Sequence, residues 1–354
     1  MTVHTEILLI AIAVSIACAI PGVFLVLRRM SMMADAITHT VFLGIVLAFF
    51  MTEDLNSPFL LVGATLVGVG TVWLTEMIHN TGLVNEDASI GIIFPLLFSI
   101  AIILVSLYSG NAHLDVDTAL LGEIAFAPFD RWIVNGTDLG PISLWISLGV
   151  ALINLILVML FYKELQLSTF DPLLAGLFGF MPVLIHYVLM TMVSLTVVAS
   201  FQAVGAILVI GLMIGPAAIA YLWTDSVKAM LTSSIIIGII CAVVGTEVAF
   251  TMDVSIAGSI ATTIGIALII AVIATPKTGY IATYRRQRHL RRHYRETMML
   301  CHIYTHMDTP IAQVENGIGT IHEHLNWRPD YTHQAASQLK KQGLLYVTCL
   351  LYTS

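Results

Sequence analysis

Arg28-Arg29-Met30-Ser31-Met32-Met33-Ala34-Asp35-Ala36-Ile37-Thr38-His39-Thr40-Val41-Phe42-Leu43-Gly44-Ile45-Val46-Leu47-Ala48-Phe49-Phe50 is the stretch on which the fold turns. Residues 41–50 are without exception apolar, and the two arginines mark a boundary before them. Read as a membrane span, the stretch holds two side chains that are costly there, the Asp35 carboxylate and the His39 imidazole. Their spacing of four puts them on one helical face. An ionisable group inside a span is by default a functional hypothesis, for a pathway or a partner.

The rest of the chain supports the membrane reading. Of 354 residues, 58% are hydrophobic and only 10% charged, with a mean hydropathy of +0.92. That exceeds what a water-soluble core requires and fits an integral membrane protein. At ~20 apolar residues per crossing, nine candidate spans emerge, at 7–27, 35–50, 59–75, 89–108, 142–162, 181–201, 202–223, 229–246 and 254–275. The sixth and seventh join without a loop, so eight spans remain an alternative. The first run lacks a basic leader and reads as a span rather than a cleaved signal. Alternating barrel strands are absent, which leaves an all-α membrane protein.

Nine spans put Arg28, Arg29, Lys163, Lys228 and the basic cluster 277–295 on one side of the membrane. Lys and Arg mark the cytoplasmic side, so the C-terminus is expected in the cytoplasm and the N-terminus outside, with the chain in the cell's inner (cytoplasmic) membrane. The domains expected are a transmembrane unit over 1–276, a basic juxtamembrane linker over 277–296, a partial winged-helix tail over 297–348, and an end over 349–354 that matches a translated library adapter and reads as non-native. In the tail, helices are expected at 297–306, 310–315, 319–325 and 330–342, the last capped by Asp330 and stopped by Gly343, followed by one strand over 344–347. That order suggests a small winged helix-turn-helix.

Two polar segments are more than connectors. Residues 111–140 carry Glu123 and are long enough to dip into a cavity or lie at the interface. After the fifth span comes Phe170-Asp171-Pro172, with Gly176 and Gly179 beyond. Thr169 or Asp171 can cap a short helix that starts at Pro172, a surface on which a peripheral partner can dock. Gly211 and Gly215 form GxxxG, which allows close helix approach, and Asp253 reads as a cap of the last span. The four cysteines have no paired spacing and suggest neither a disulfide framework nor a thiolate cluster.

Several motifs together resemble the permease subunits of manganese, zinc and iron ABC importers. They are residues 24–39, Phe170-Asp171-Pro172, residues 194–205, and Gly215-Pro216-Ala217-Ala218. The resemblance covers roughly residues 5 to 276, and the tail resembles the winged helix of metal-dependent repressors. It implies a transported Mn, Zn or Fe ion and no permanently bound cofactor. The partners implied are an ATPase subunit, an extracytoplasmic metal-binding protein and a second permease subunit, identical or not. By the same resemblance, Asp35 and His39 fall on the pair that meets the metal, Glu123 on an often acidic position, and Asp171 with the following turn on the helix that docks into the ATPase. Phe42 stands where the family has a proline.

The residues agree on chemistry. One hard oxygen and one borderline nitrogen suit Mn²⁺, Zn²⁺ or Fe²⁺, and an incomplete site suits a conduit, which has to release its ion. The competing reading makes Asp35 an interfacial helix cap and has His39 bond a neighbouring backbone. The scattered methionines read as packing, as does His186, alone in the sixth span. The pairs His289/His293 and His302/His306 read as exposed surface, with metal sensing the lesser alternative. The arginines from 285 to 295 read as meeting membrane lipid before nucleic acid. With no GxxxxGK[ST] motif, the chain is expected to be no enzyme itself and to draw its energy from another chain. A membrane-anchored DNA-binding regulator and a permease for a metal chelate are the rival functions.

Overall fold

The computed structural model describes residues 2–53, 57, 59–108, 124–134, 137–275, 279–307, 310, 314, 316–317 and 319–345. The described helices are α1 (Val3–Leu27), α2 (Ser31–Thr52), α3 (Phe59–His79), α4 (Glu86–Tyr108), α5 (Ile142–Leu160), α6 (Tyr162–Phe170), α7 (Pro172–Leu177), α8 (Pro182–Val204), α9 (Ala206–Trp223), α10 (Val227–Met252), α11 (Ile256–Ala274), α12 (Tyr280–Thr305), α13 (Ile321–His324) and α14 (Pro329–Lys341). Among the described residues, nine helices have the length and hydropathy to cross a membrane: α1 to α5 and α8 to α11. The chain divides into two compact units, Met1–Val272 and Ile273–Ser354.

In the first unit α1 is the central rod. It packs against α5, α8, α9 and α10, while α2 packs on α3 and α4. Ile10, Ile20, Phe24 and Leu25 of α1 are buried, as are Met33 and Ile37 of α2. Lipid tails are as apolar as these side chains, so close packing rather than water exclusion selects the contacts. Gly215 shows this: a Cβ there would lie 2.2 Å from Ile264 Cγ2 of α11. The expected GxxxG face is therefore a close contact at its second glycine.

The join between the sixth and seventh spans falls at Gly205, not between residues 201 and 202. Gly205 has φ 79° and ψ 165°, a conformation essentially confined to glycine. Cys18 Sγ in the middle of α1 lies 3.8 Å from Ser200 Oγ, and the turn follows five residues on, about 8 Å along the helix. From there α9 returns toward the end of α1 that carries Leu27, where Ala217 and Ala220 pack with Val23 and Met230. One glycine thus replaces a loop, and α8 and α9 form a hairpin whose turn lies within the length of α1.

Asp253 does not open the last span. It ends α10 in a left-handed conformation with φ 53°, and Ser255 Oγ accepts from Gly258 N at the start of α11. The segment between α4 and α5, expected to dip or lie flat, contains a short 3-10 turn (Ala127–Phe129) and an antiparallel hairpin of β1 (Arg131–Val134) and β2 (Thr137–Pro141). Arg131 binds Glu6 Oε1 and Asp138 Oδ2, both at 2.8 Å, and so ties the hairpin to the first turn of α1. Trp145 Nε1 donates to Leu139 O.

In the second unit, Met299, Ile321, Ala335, Ala336 and Leu339 form a small core. The basic stretch runs unbroken into the first expected tail helix as α12, because no glycine or proline interrupts residues 280–305 and Arg292 pairs with Glu296 at i,i+4. Arg328 rather than Asp330 is the N-cap residue of α14, with Pro329 at its first position. Gly343 at φ 71° follows the helix as expected. Leu344 and Leu345 are not in a strand. The rest of the expected strand, the end over 349–354 and most of the expected helix 310–315 lie outside the described residues.

Candidate functional site

α2 places Asp35 and His39 one above the other. His39 Nε2 lies 3.5 Å from Asp35 Oδ1, and the side chains are 32% and 38% exposed respectively. The His39 ring lies beside Phe94 and Phe98 of α4, with centroids 5.5 Å and 6.0 Å away. Asp35 is not a cap: the helix starts four residues earlier with Met30 as N-cap residue. The next polar positions are satisfied within the helix or across it. Thr38 Oγ1 donates to Asp35 O, and Thr71 Oγ1 of α3 donates to Thr40 Oγ1.

The 3.5 Å separation has chemical meaning. Two ligands each ~2.1 Å from a tetrahedral ion sit about 3.4 Å apart, so these two donors can share one ion with little movement. Two donors do not complete a site. Among the described residues no group of three His, Cys, Asp or Glu side chains is arranged to hold a metal. Glu123, the third sequence candidate, lies outside the described residues.

Where α1 gives way to α2, a second polar group has assembled that the sequence did not announce. Arg28 Nε donates to Thr169 Oγ1 at 3.2 Å and Arg28 Nη2 to Ser168 Oγ at 3.0 Å, both on α6. Its Nη1 donates to His186 Nδ1 of α8 at 3.1 Å. His186 Nε2 in turn lies 2.5 Å from Glu76 Oε1 of α3, and Tyr187 OH donates to Glu76 Oε2 at 2.8 Å. Arg28, Ser168, His186, Glu76 and Tyr187 line a cavity of about 390 Å³ with His79, Glu86 and Pro172. Burial lowers the Arg28 pKa from its ordinary value. His186 is thus a joint between an arginine and a carboxylate rather than a lone packing residue. The available sequence signal was Glu76 with His79 at i,i+3 near the end of an apolar run.

The short helix α7 begins as its sequence implies. Asp171 Oδ1 accepts from Leu174 N at 2.9 Å and Pro172 stands at the first position. Thr169, the other cap candidate, is instead held by Arg28. Leu173, Leu177 and Phe178 are strongly exposed and Phe170 is 62% exposed. Nothing lies within 4 Å of where a Cβ would be at Gly176 or Gly179, so this face is apolar and uncovered. Arg28 therefore joins three things: the segment leading into α7, the carboxylate of α3, and the turn that launches the Asp35/His39 helix.

A family model described as the ABC 3 transport family matches residues 2–275. The zinc transport system membrane protein TroD of Treponema pallidum (strain Nichols) is 44% identical over 341 residues, covering 96% of this chain and 92% of that protein. The manganese transport system membrane protein MntD of Bacillus subtilis (strain 168) is 43% identical over 281 residues, 79% of this chain and 95% of that protein. The solved structure of PsaBC from Streptococcus pneumoniae in complex with Fab contains a similar chain, with a TM-score of 0.67 and 29% identity, covering 80% of this chain and 96% of that one. The first alignment reaches well past the last membrane helix, whereas the second leaves about a fifth of this chain unmatched.

Proposed function

The chain belongs to the ABC 3 transport family and is a membrane-spanning permease subunit, and from that premise we propose that it conducts a divalent manganese or zinc ion into the cell. The observation that carries the reading is the Asp35/His39 pair, two donors at one ion's bite distance on a helix with no other ionisable side chain. The sequence left manganese, zinc and iron open. The names of the relatives, zinc for TroD and manganese for MntD, favour the first two.

Further ligands come from water or from a second permease subunit laid against the half-exposed side of α2. An ion so held is weakly bound and leaves when the arrangement changes. That change is driven from the cytoplasm, where α7 with Phe170, Asp171, Pro172, Gly176 and Gly179 docks into an ATPase subunit. An extracytoplasmic binding protein delivers the ion to the opposite face, near the hairpin and Glu6. The C-terminus is cytoplasmic, and ATP hydrolysis belongs to the partner.

Reconstitution of the chain with its ATPase and binding protein in liposomes tests this. Uptake of radioactive manganese or zinc is expected to require ATP and to be competed by the other ion. Uptake without ATP, or uptake of a chelate that free ion does not compete, contradicts the assignment.

A further inference from the structure

Helices α12 and α14 of the tail enclose a cavity of about 470 Å³, lined by Arg288, Arg292 and Arg295 from one helix and by Gln334, Ser337 and Gln338 from the other, beside His333. The three arginines recur at i, i+4 and i+7, which places them on one face of α12. Their setting goes beyond a run of basic residues. Glu296, only 8% exposed, holds Arg292 through its Oε1 at 3.3 Å and accepts from Gln342 Nε2 at 3.4 Å. One carboxylate thus fixes an arginine and the end of α14 together. The Arg295 guanidinium lies over the Tyr331 ring, 4.6 Å from its centroid, and its Nε donates to Arg291 O at 3.2 Å, two contacts that together orient it. Arg288 takes part in neither contact.

The cavity wall therefore carries three guanidinium charges against one carboxylate, with hydroxyl and amide groups on the facing helix. Guanidinium forks match the tetrahedral oxygens of a phosphate bidentately, and the net excess of two positive charges suits a phosphoryl group, which carries about −1.5 to −2 at neutral pH. We propose that this cavity is a binding site for a phosphoryl group. Two sources share that chemistry. One is an anionic lipid headgroup, since α12 follows the last membrane-length helix after five residues. The other is a small soluble phosphate compound.

The test uses the full-length chain in phosphatidylcholine nanodiscs, with hydrogen exchange of residues 288–295 and 333–338 as readout. Inorganic pyrophosphate is titrated in one arm, and phosphatidic acid is built into the disc in the other. At least one arm is expected to slow exchange in both segments, pyrophosphate alone marking a soluble ligand and phosphatidic acid alone a headgroup. R288Q/R292Q/R295Q should weaken half-saturation at least about ten-fold, and R288Q alone, which leaves the Glu296 and Tyr331 contacts intact, should weaken it in the same direction. R285Q/R286Q/R291Q, which removes as much charge from the same helix outside the cavity, should leave protection unchanged. The proposal is overturned if neither probe protects, if the two triple variants lose protection equally, or if duplex DNA protects α14 in place of either probe.

Discussion

Arg28 donates from all three of its nitrogens. A guanidinium has no acceptor, so His186 Nδ1 receives the bond. On the other side of the ring, His186 Nε2 lies 2.5 Å from Glu76 Oε1. Replacing Arg28 by Ala leaves Ser168, Thr169 and His186 short of a partner, and is expected to cost about 1–3 kcal/mol in thermal unfolding of the purified protein. Arg28→Lys restores the charge without the fork and should recover less than half of that loss. Full recovery by lysine would show that charge alone matters. At the other end of the bundle, the Gly140 amide first and the Arg131 guanidinium second hold the Asp138 carboxyl below its ordinary value. Asp138 therefore stays ionised and paired at neutral pH, and the pair is lost as pH falls through that lowered value. Emission from Trp132, which lies edge-on to Trp145 at 6.4 Å, is expected to hold steady down to about pH 4 and to change below it. Asp138→Asn should show the acid-form emission already at neutral pH.

At the scale of elements, two short features govern larger ones. The Asp171 cap starts α7, and Asp171→Ala should lower stability by about 0.5–2 kcal/mol while reducing transport more than it reduces ATP hydrolysis by the partner. Equal loss of both would argue against a coupling role. Gly205 lets α8 turn into α9 without a loop, and Gly205→Ala forces a side chain into φ 79°, at an expected cost of about 1–3 kcal/mol, measured by the same unfolding assay. The apolar runs and the Asp171-Pro172 start were legible because hydropathy and capping are local signals. The Gly205 turn was not, since a glycine in an apolar run reads equally well as packing. The β1–β2 hairpin escaped because Glu6, the carboxylate through which Arg131 ties it to α1, lies far from it in sequence. The Asp35/His39 pair was legible because four residues on one helix need no tertiary knowledge, whereas the Arg28, Glu76 and His186 cluster needs three helices brought together.

For the whole molecule, the permease and the tail are separable in relatives. MntD is matched over 95% of its own length while leaving about a fifth of this chain unmatched, so a permease of this family exists without such a tail. Truncation after Thr275 is accordingly expected to leave basal uptake unchanged while abolishing phosphoryl binding at the arginine cavity. The central claim rests on α2. The most direct measurement is ATP-driven manganese or zinc uptake by the assembled transporter carrying Asp35→Ala or His39→Ala, with ATP hydrolysis followed in parallel. Uptake reduced at least about ten-fold, corresponding to loss of one charged ligand, with hydrolysis retained, is the predicted result. Uptake at the wild-type rate in both variants would contradict the assignment of the pair to the ion's path.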